Sequence, residues 1–170
     1  MTKIAVQKLA QQFIKKRNLT PTIDLDKAAR LVNAVIVYEE LPKKISGASM
    51  PPHKQPPPYS DIDEFVIGVN STCSVSHQRF TIAHEIGHIV LGHPQQSGPI
   101  FYSTIENFYL DIYPNERDAN IFAAELLMPT QHIRSMVFVS SLRDIGSLCR
   151  LYQVSKAAME IKLREIGLNN

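Results

Sequence analysis

The chain has 170 residues, of which 44% are hydrophobic and 20% are charged, an ordinary composition for a folded globular protein. Its formal net charge of +2 is too small to indicate a nucleic acid or a membrane surface as a partner by itself. The two cysteines, Cys73 and Cys149, match no C-x-x-C pattern, and a small secreted fold usually carries more. The N-terminal segment lacks the continuous apolar run of a signal peptide. We therefore expect a cytoplasmic protein with reduced thiols and no membrane partner.

Hydrophobic spacing and turn residues predict the elements of the first half. Apolar residues recur at helical spacing and predict an amphipathic helix over residues 3–16. A second helix is predicted to begin near Asp24, and "VIVYEE" and "EFVIGVN" are typical of strands. Six of the eleven prolines lie between these two strands. Most of that stretch is therefore predicted to be loop, with a short strand near "ISGASM".

The second half is predicted to be mainly helical. One helix runs from about Ser76 to Leu91. Another begins at Pro114, a favoured first-turn residue, and stops before Pro129. Segment 97–113 is ambiguous between loop and short elements, and the remainder is typical of three short helices.

The helix before Leu91 carries side chains that suit a metal. Residues 84–88 spell H-E-x-x-H, and residues four apart lie on one face of a helix, so His84 and His88 can direct both imidazoles at one ion. Neutral imidazoles suit Zn²⁺, and a catalytic zinc site takes three protein ligands and a water molecule. Zinc lowers the pKa of a water molecule that it binds. Glu85 lies about 100° further around the helix and can take a proton from that water. The flanking residues are apolar on nearly all sides, which predicts a buried helix whose polar groups need partners.

The third ligand must come from elsewhere in the chain. His93 lies one residue too early for the pattern H-E-x-x-H-x-x-G-x-x-H. We interpret His93 as a polar residue at the helix C-terminus, beside Gly92.

A helical wheel of "PNERDANIFAAELLMP" places one acid among the apolar residues. Glu116 falls inside the apolar arc and is predicted to be the third ligand. Asn120 lies beside Glu116 on the wheel and is predicted to hydrogen-bond one of the metal-binding side chains. Asp118 and Glu125 fall on the opposite face, where we expect solvated charges. The alternative for Glu116 is an acid favoured in the first turn by the helix dipole.

Two blocks of the sequence resemble the ImmA/IrrE metallopeptidases. "RFTIAHEIGHIVLGH" is similar to the family text R-F-T-x-A-H-E-x-G-H, and "ERDANIFAAELLMP" to E-x-x-A-N-x-F-A-x-x-L-L-M-P. The resemblance implies a gluzincin-like site in which His84, His88 and Glu116 bind zinc and Glu85 is the general base. It also implies an α+β fold: a mainly helical, zincin-like metallopeptidase domain with a small antiparallel or mixed sheet over 1–129. A C-terminal helical, helix-turn-helix-like subdomain over 130–170 would pack on it as one compact unit.

The same resemblance implies a narrow substrate. Family members typically cut helix-turn-helix repressors, so a repressor or antitoxin-like protein is the expected partner. The alternative is a non-catalytic zinc-binding regulator that binds a repressor or DNA, as a toxin–antitoxin or stress-response component. Glu85 favours the peptidase, because a structural zinc site does not need a base.

The C-terminal segment itself resembles a helix-turn-helix. Leu148, Val154 and Met159 fall on core positions, and Gln153 stands where glycine is usual in the turn. The expected recognition helix carries three basic residues against two acids, a weak footprint for phosphates. DNA is therefore the weaker partner. The basic residues are Lys156, Lys162 and Arg164.

Two further features complete the sequence-based hypotheses. A tetrahedral intermediate needs a donor besides zinc, and the spacing does not rank the candidates Tyr102, Tyr109, Tyr113 and His132. The proline-rich stretch 51–60 is interpreted either as a lid beside the cleft or as a surface insertion without a role.

Overall fold

The computed structural model describes residues 1–19, 22–52, 54–93, 101–104 and 114–168, and of 101–104 the backbone alone. The predicted α+β class is confirmed, since helices dominate these ranges and one small mixed sheet accompanies them. Within the same ranges, no helix is both long enough and apolar enough to cross a membrane. The elements in chain order are α1 (Lys3–Lys16), α2 (Leu25–Arg30), β1 (Ala34–Glu39), β2 (Ile45–Met50), β3 (Phe65–Asn70), α3 (Val75–Val90), β4 (Phe101–Thr104), α4 (Pro114–Leu127), α5 (Thr130–Phe138), α6 (Ile145–Tyr152) and α7 (Lys156–Glu165).

Local chemistry explains where many of the helices begin. A side-chain oxygen before the first turn accepts a hydrogen bond from a backbone N–H that the helix leaves without a partner. Such a side chain precedes α1, α2, α3, α6 and α7, and the capping residues are Thr2, Asp24, Ser74, Asp144 and Ser155. The caps of α1, α2 and α3 place the start of each of these helices within a residue or two of the predicted position.

The sheet has the strand order β1-β3-β2-β4. β1 is parallel to β3, and β2 is antiparallel to both β3 and β4. Ile67 and Val69 of β3 are fully buried in the main core together with Ile82 and Ile86 of α3. One face of the sheet therefore packs against the helix that carries H-E-x-x-H.

The proline-rich segment contacts the sheet from its other face. Side chains alternate between faces along a strand, and Glu39 is in register with Asn70, next to the inward-facing Val69. Glu39 thus points away from α3, and the hydroxyl of Tyr59 donates a hydrogen bond to it. At the opposite end of the sheet, Gln55 Nε2 donates to the backbone oxygen of Glu64 at 2.7 Å. The Tyr59 contact thus lies on the face of the sheet away from α3, and a lid beside the cleft stays a prediction.

β2 approaches α3 closely at Gly47. A Cβ atom at this position would lie 2.5 Å from Thr81 Cγ2 and 2.6 Å from the backbone oxygen of Gly68. We expect Gly47→Ala to lower the free energy of unfolding by about 1–3 kcal/mol, because strand and helix must move apart. Gly68→Ala is the matched control, since its Cβ would meet no atom nearer than 3.8 Å. Urea denaturation of both variants measures the difference, and equal stabilities would contradict the expectation.

The helix-turn-helix-like character of the C-terminal segment stays a prediction, and the structure shows two short helices, α6 and α7, joined by a tight turn. α6 ends at Gln153, which adopts a left-handed conformation with φ 54° and ψ 46°, the role usually taken by glycine. Leu148 and Met159 are fully buried and Val154 is 7% exposed. All three belong to the same core cluster as Leu126 of α4. A division of the chain at residue 129 stays a prediction, since one core runs across that position.

The prediction that Asp118 and Glu125 are solvated is wrong. They are only 3% and 0% exposed. Glu125 Oε2 pairs with Lys162 Nζ at 2.6 Å, and its Oε1 accepts from Gln11 Nε2 at 2.8 Å. Asp118 Oδ1 lies 3.3 Å from Arg117 Nη2. α1 and α7 cover this side of α4, and the helical wheel of a single helix cannot show such neighbours.

Candidate metal centre

The middle of α3 is buried and lies close to α4. All residues from 81 to 88 are buried. A Cβ atom at Gly87 would lie 3.2 Å from the backbone oxygen of Ala119 and 3.3 Å from Phe122 Cβ. The missing side chain at Gly87 lets the α4 backbone approach α3, and this brings the first turn of α4 to the two histidines.

Three side chains from these helices meet at one point. Nε2 of His84 and Nε2 of His88 are 2.9 Å apart. Each lies 3.3 Å from a different carboxylate oxygen of Glu116. One ligand atom from each residue lies within 4.8 Å of the others, and both histidines are fully buried. The structure thus brings together the three residues that the sequence predicted as ligands.

The protonation pattern of this cluster suits a bound cation. His84 Nδ1 is 2.9 Å from Asn120 Oδ1. An amide oxygen only accepts hydrogen bonds, so Nδ1 donates, and in a neutral ring Nε2 then carries the lone pair that a metal ligand needs. Oε2 of Glu116 is buried, and no described residue donates a hydrogen bond to it. Two imidazole nitrogens and one carboxylate oxygen are a donor set that fits zinc with one position left open.

The electrostatics of the cluster favour positive charge. Burial alone would raise the pKa of Glu116, but contacts with His84 and His88 outweigh burial and hold that pKa well below its ordinary value. Burial alone would lower the pKa of His88, but the carboxylates of Glu116 and Glu85 raise it above its ordinary value. Both shifts arise from the attraction between the imidazoles and the carboxylates in a buried site. A divalent cation bound here would likewise be attracted to the carboxylates.

Glu85 is fully buried on α3, next to His84 in the chain. It is not among the three residues whose ligand atoms converge. Its charge contributes to the raised pKa of His88, so the carboxylate lies near the cluster. A carboxylate beside the donor set, rather than in it, is where a base for a bound water is needed.

His93 has a contact that sequence reasoning missed. It is 5% exposed, and its Nδ1 lies 2.9 Å from Nδ1 of His88. Burial and the charge of His88 lower the pKa of His93 to about 4. The signal in the sequence is Gly92, because a glycine directly after a helix commonly reverses the chain. That reversal carries the following residue back over the last turn of the helix.

The candidate oxyanion donors remain a prediction. Tyr109 and Tyr113 lie outside the described residues, and of Tyr102 the structure describes the backbone, in β4. His132 lies among the C-terminal helices, where its Nδ1 is 2.6 Å from the hydroxyl of Tyr152.

An α+β fold in which an H-E-x-x-H helix packs against a second helix bearing an acidic donor defines the zincin-like class of proteins. The chain belongs to the peptidase M78 family, since the family described as the IrrE N-terminal-like domain matches residues 34–164. This match confirms the resemblance to the ImmA/IrrE proteins, and it indicates a metallopeptidase-like or regulator-related role.

A solved structure with a similar fold is that of a Mycobacterium tuberculosis transcriptional regulator. The TM-score is 0.63 and the sequence identity is 18%. The alignment covers 94% of this chain and 46% of that chain, so this chain spans about half the length of the regulator. At this identity the likeness shows the fold alone. No curated protein matches the chain.

Proposed function

We propose that the protein is a zinc-dependent endopeptidase of narrow specificity that cleaves a helix-turn-helix repressor or an antitoxin-like partner and thereby relieves repression. The observation that carries this proposal is the buried Glu85 beside the converging donor atoms of His84, His88 and Glu116. A structural zinc site would fill its fourth position with a protein ligand and would not need this carboxylate.

The residues of the chain have distinct roles in this mechanism. His84, His88 and Glu116 would hold zinc, which when bound polarises the scissile carbonyl and lowers the pKa of a water molecule. Glu85 accepts the proton of the attacking water and returns it to the leaving amine. Asn120 accepts a hydrogen bond from His84 and holds its ring in orientation. Burial removes bulk water around these groups, which strengthens their electrostatic interactions.

The proposed partner and location rest on the family. Membership of the peptidase M78 family supports a peptidase, and the resemblance to ImmA/IrrE proteins supports a repressor-type substrate. The similar fold of a transcriptional regulator agrees with a role in gene control. Such a partner lies in the cytoplasm, which is therefore the proposed location.

Metal content tests the ligand assignment. We expect the purified full chain to contain about one zinc ion. His84→Ala and Glu116→Ala should contain little or none, because each removes one of three ligands. The matched control is His77→Ala, since His77 lies on the same helix but contacts Ser46 Oγ at 2.9 Å instead. Elemental analysis gives the occupancy, and full zinc content in both ligand variants would refute the assignment.

New N-termini formed in a cell extract test the activity. The wild-type chain should produce cleavages confined to one or a few proteins with a helix-turn-helix, and His84→Ala should produce none. Labelling of free N-termini followed by mass spectrometry identifies the bond. Cleavage spread over many unrelated proteins would contradict narrow specificity, and identical termini with both chains would contradict the peptidase.

The alternative is a metal-binding regulator without catalysis. It is supported by two short helices, α6 and α7, joined by a turn at the left-handed Gln153, where a helix-turn-helix is predicted. Lys162 weakens the case for DNA, because its ammonium group is buried against Glu125 and is not presented to phosphates. Cleavage that depends on Glu85 would exclude this alternative.

A further inference from the structure

The ring of His88 has a neighbour at each of its nitrogen atoms. Nε2 faces Glu116 at 3.3 Å, and Nδ1 faces Nδ1 of His93 at 2.9 Å. The rings of His88 and His93 meet edge to face, with their centroids 4.9 Å apart and an interplanar angle of 70°. His93 is 95% buried, given its exposed fraction of 5%. It therefore lies against His88 on the side away from the converging ligand atoms.

A hydrogen bond between Nδ1 of His88 and Nδ1 of His93 needs one proton, with one ring donating and the other accepting. If His88 carries its proton on Nδ1, the lone pair of Nε2 points at Glu116 and is available to a metal. If His88 carries the proton on Nε2, that lone pair is lost. Metal-ligating histidines commonly donate through the second nitrogen to an acceptor, which fixes both tautomer and ring orientation.

We propose that His93 is a positioning residue of the metal centre, whose Nδ1 accepts a hydrogen bond from His88 Nδ1 and so directs Nε2 of His88 at the metal. This inference rests on the proposed function, because it takes His88 to be a ligand. Asn120 has the same relation to His84, through an amide oxygen at 2.9 Å. Each metal-binding histidine would thus have its own hydrogen-bond acceptor. Asn120 of α4 accepts from His84, and His93 at the end of α3 accepts from His88.

The end of α3 places His93 through a backbone turn. Gly92 has a φ of +74°, and its N–H donates to the backbone oxygen of Ile89 at 3.1 Å. The positive φ and this hydrogen bond are two features of a Schellman motif, in which the residue after the glycine packs on the residue five positions earlier. For this helix those two residues are His93 and His88. Among the described residues, none apart from its chain neighbours lies within 4 Å of a Cβ atom placed at Gly92, so the need for glycine comes from the backbone conformation.

Two substitutions at position 93 separate the acceptor from its packing. His93→Leu fills the space without an acceptor, and we expect zinc affinity to fall about 10–100-fold. His93→Asn puts an amide oxygen near the place of Nδ1, the group that Asn120 offers to His84, and should restore affinity to within a few-fold of wild type. Competition with a chromophoric zinc chelator measures the affinity on the full chain. Circular dichroism of the metal-free proteins checks the fold, and His77→Leu is the control on the same helix.

The outcomes distinguish a failure of this inference from a failure of the proposed function. Wild-type affinity in His93→Leu would overturn the positioning role while leaving the zinc site standing. Equal loss in His93→Leu and His93→Asn would also overturn it, since packing alone would then explain the effect. A wild-type chain that binds no zinc would instead refute the proposed function. If His93→Leu does not fold, Gly92→Ala carries the test: it keeps the imidazole but strains the turn, and unchanged affinity would again overturn the proposal.

Discussion

Replacing Glu85 with glutamine is expected to leave the zinc content unchanged and to lower kcat by about 10²–10⁴-fold. The amide has nearly the shape of the carboxylate but cannot accept the proton of the attacking water. Glu85 is fully buried and is not among the converging ligand atoms, so its replacement should not release the metal. The measurement is the initial rate of cleavage of the protein substrate found in extract, with elemental analysis of the same preparation.

Two comparisons make the Glu85 result specific. Glu160→Gln is a control for the same chemical change, because Glu160 lies on the surface and pairs with Lys156 at 3.7 Å. It should cleave at the wild-type rate. Loss of zinc in Glu85→Gln would reassign Glu85 from base to ligand. Wild-type cleavage with zinc retained would show that Glu85 is not the base, and the regulator without catalysis would then be the better hypothesis.

Replacing Lys162 with methionine is expected to lower the free energy of unfolding by about 3–5 kcal/mol, the usual effect of breaking a buried ion pair. Lys162 is 2% exposed and its Nζ lies 2.6 Å from Oε2 of the fully buried Glu125. Thr130 Oγ1 also donates to that oxygen, at 2.7 Å, and remains in the variant. A neutral hydroxyl does not compensate a buried carboxylate for the lost ammonium, so the folded state carries an unpaired charge.

The surface of the same helix provides the control for Lys162. Lys156 pairs with Glu160 at 3.7 Å in an exposed position. Lys156→Met should therefore change stability by less than about 1 kcal/mol. Urea denaturation measures both variants, and similar small losses would contradict the buried-pair interpretation. Adding Glu125→Leu to Lys162→Met should recover part of the stability, because no unpaired charge is then buried.

The buried ion pair of Glu125 and Lys162 also predicts that the free energy of unfolding depends on pH. Burial would raise the pKa of Glu125, but the charge of Lys162 and hydrogen bonds from Lys162, Gln11 and Thr130 lower it below its ordinary value. A group whose pKa is lower in the folded state contributes stability that is fully present above its unfolded pKa. That contribution is lost as the pH falls through the folded value. The stability difference between wild type and Lys162→Met is therefore largest near neutral pH and shrinks in acid.

The sequence by itself determined the features that depend on neighbours along the chain. Capping residues such as Ser74 and Ser155, and the spacing of apolar residues, set the helix bounds, because helix hydrogen bonds and caps act within a few residues. H-E-x-x-H and the inward position of Glu116 follow from the same helical geometry, applied to two helices separately. The contact of His93 with His88 was also local in principle, since Gly92 marks the reversal that produces it.

Only the tertiary structure decided how these elements meet. The wheel of α4 placed Glu125 on a polar face, but α1 and α7 bury that face, and Lys162 supplies the charge that makes burial tolerable. The strand order and the close approach at Gly47 likewise depend on residues far apart in the chain. A one-dimensional pattern shows which face of a helix is apolar. It does not show what covers the opposite face, because that depends on contacts between distant segments, and these form only when the whole chain folds.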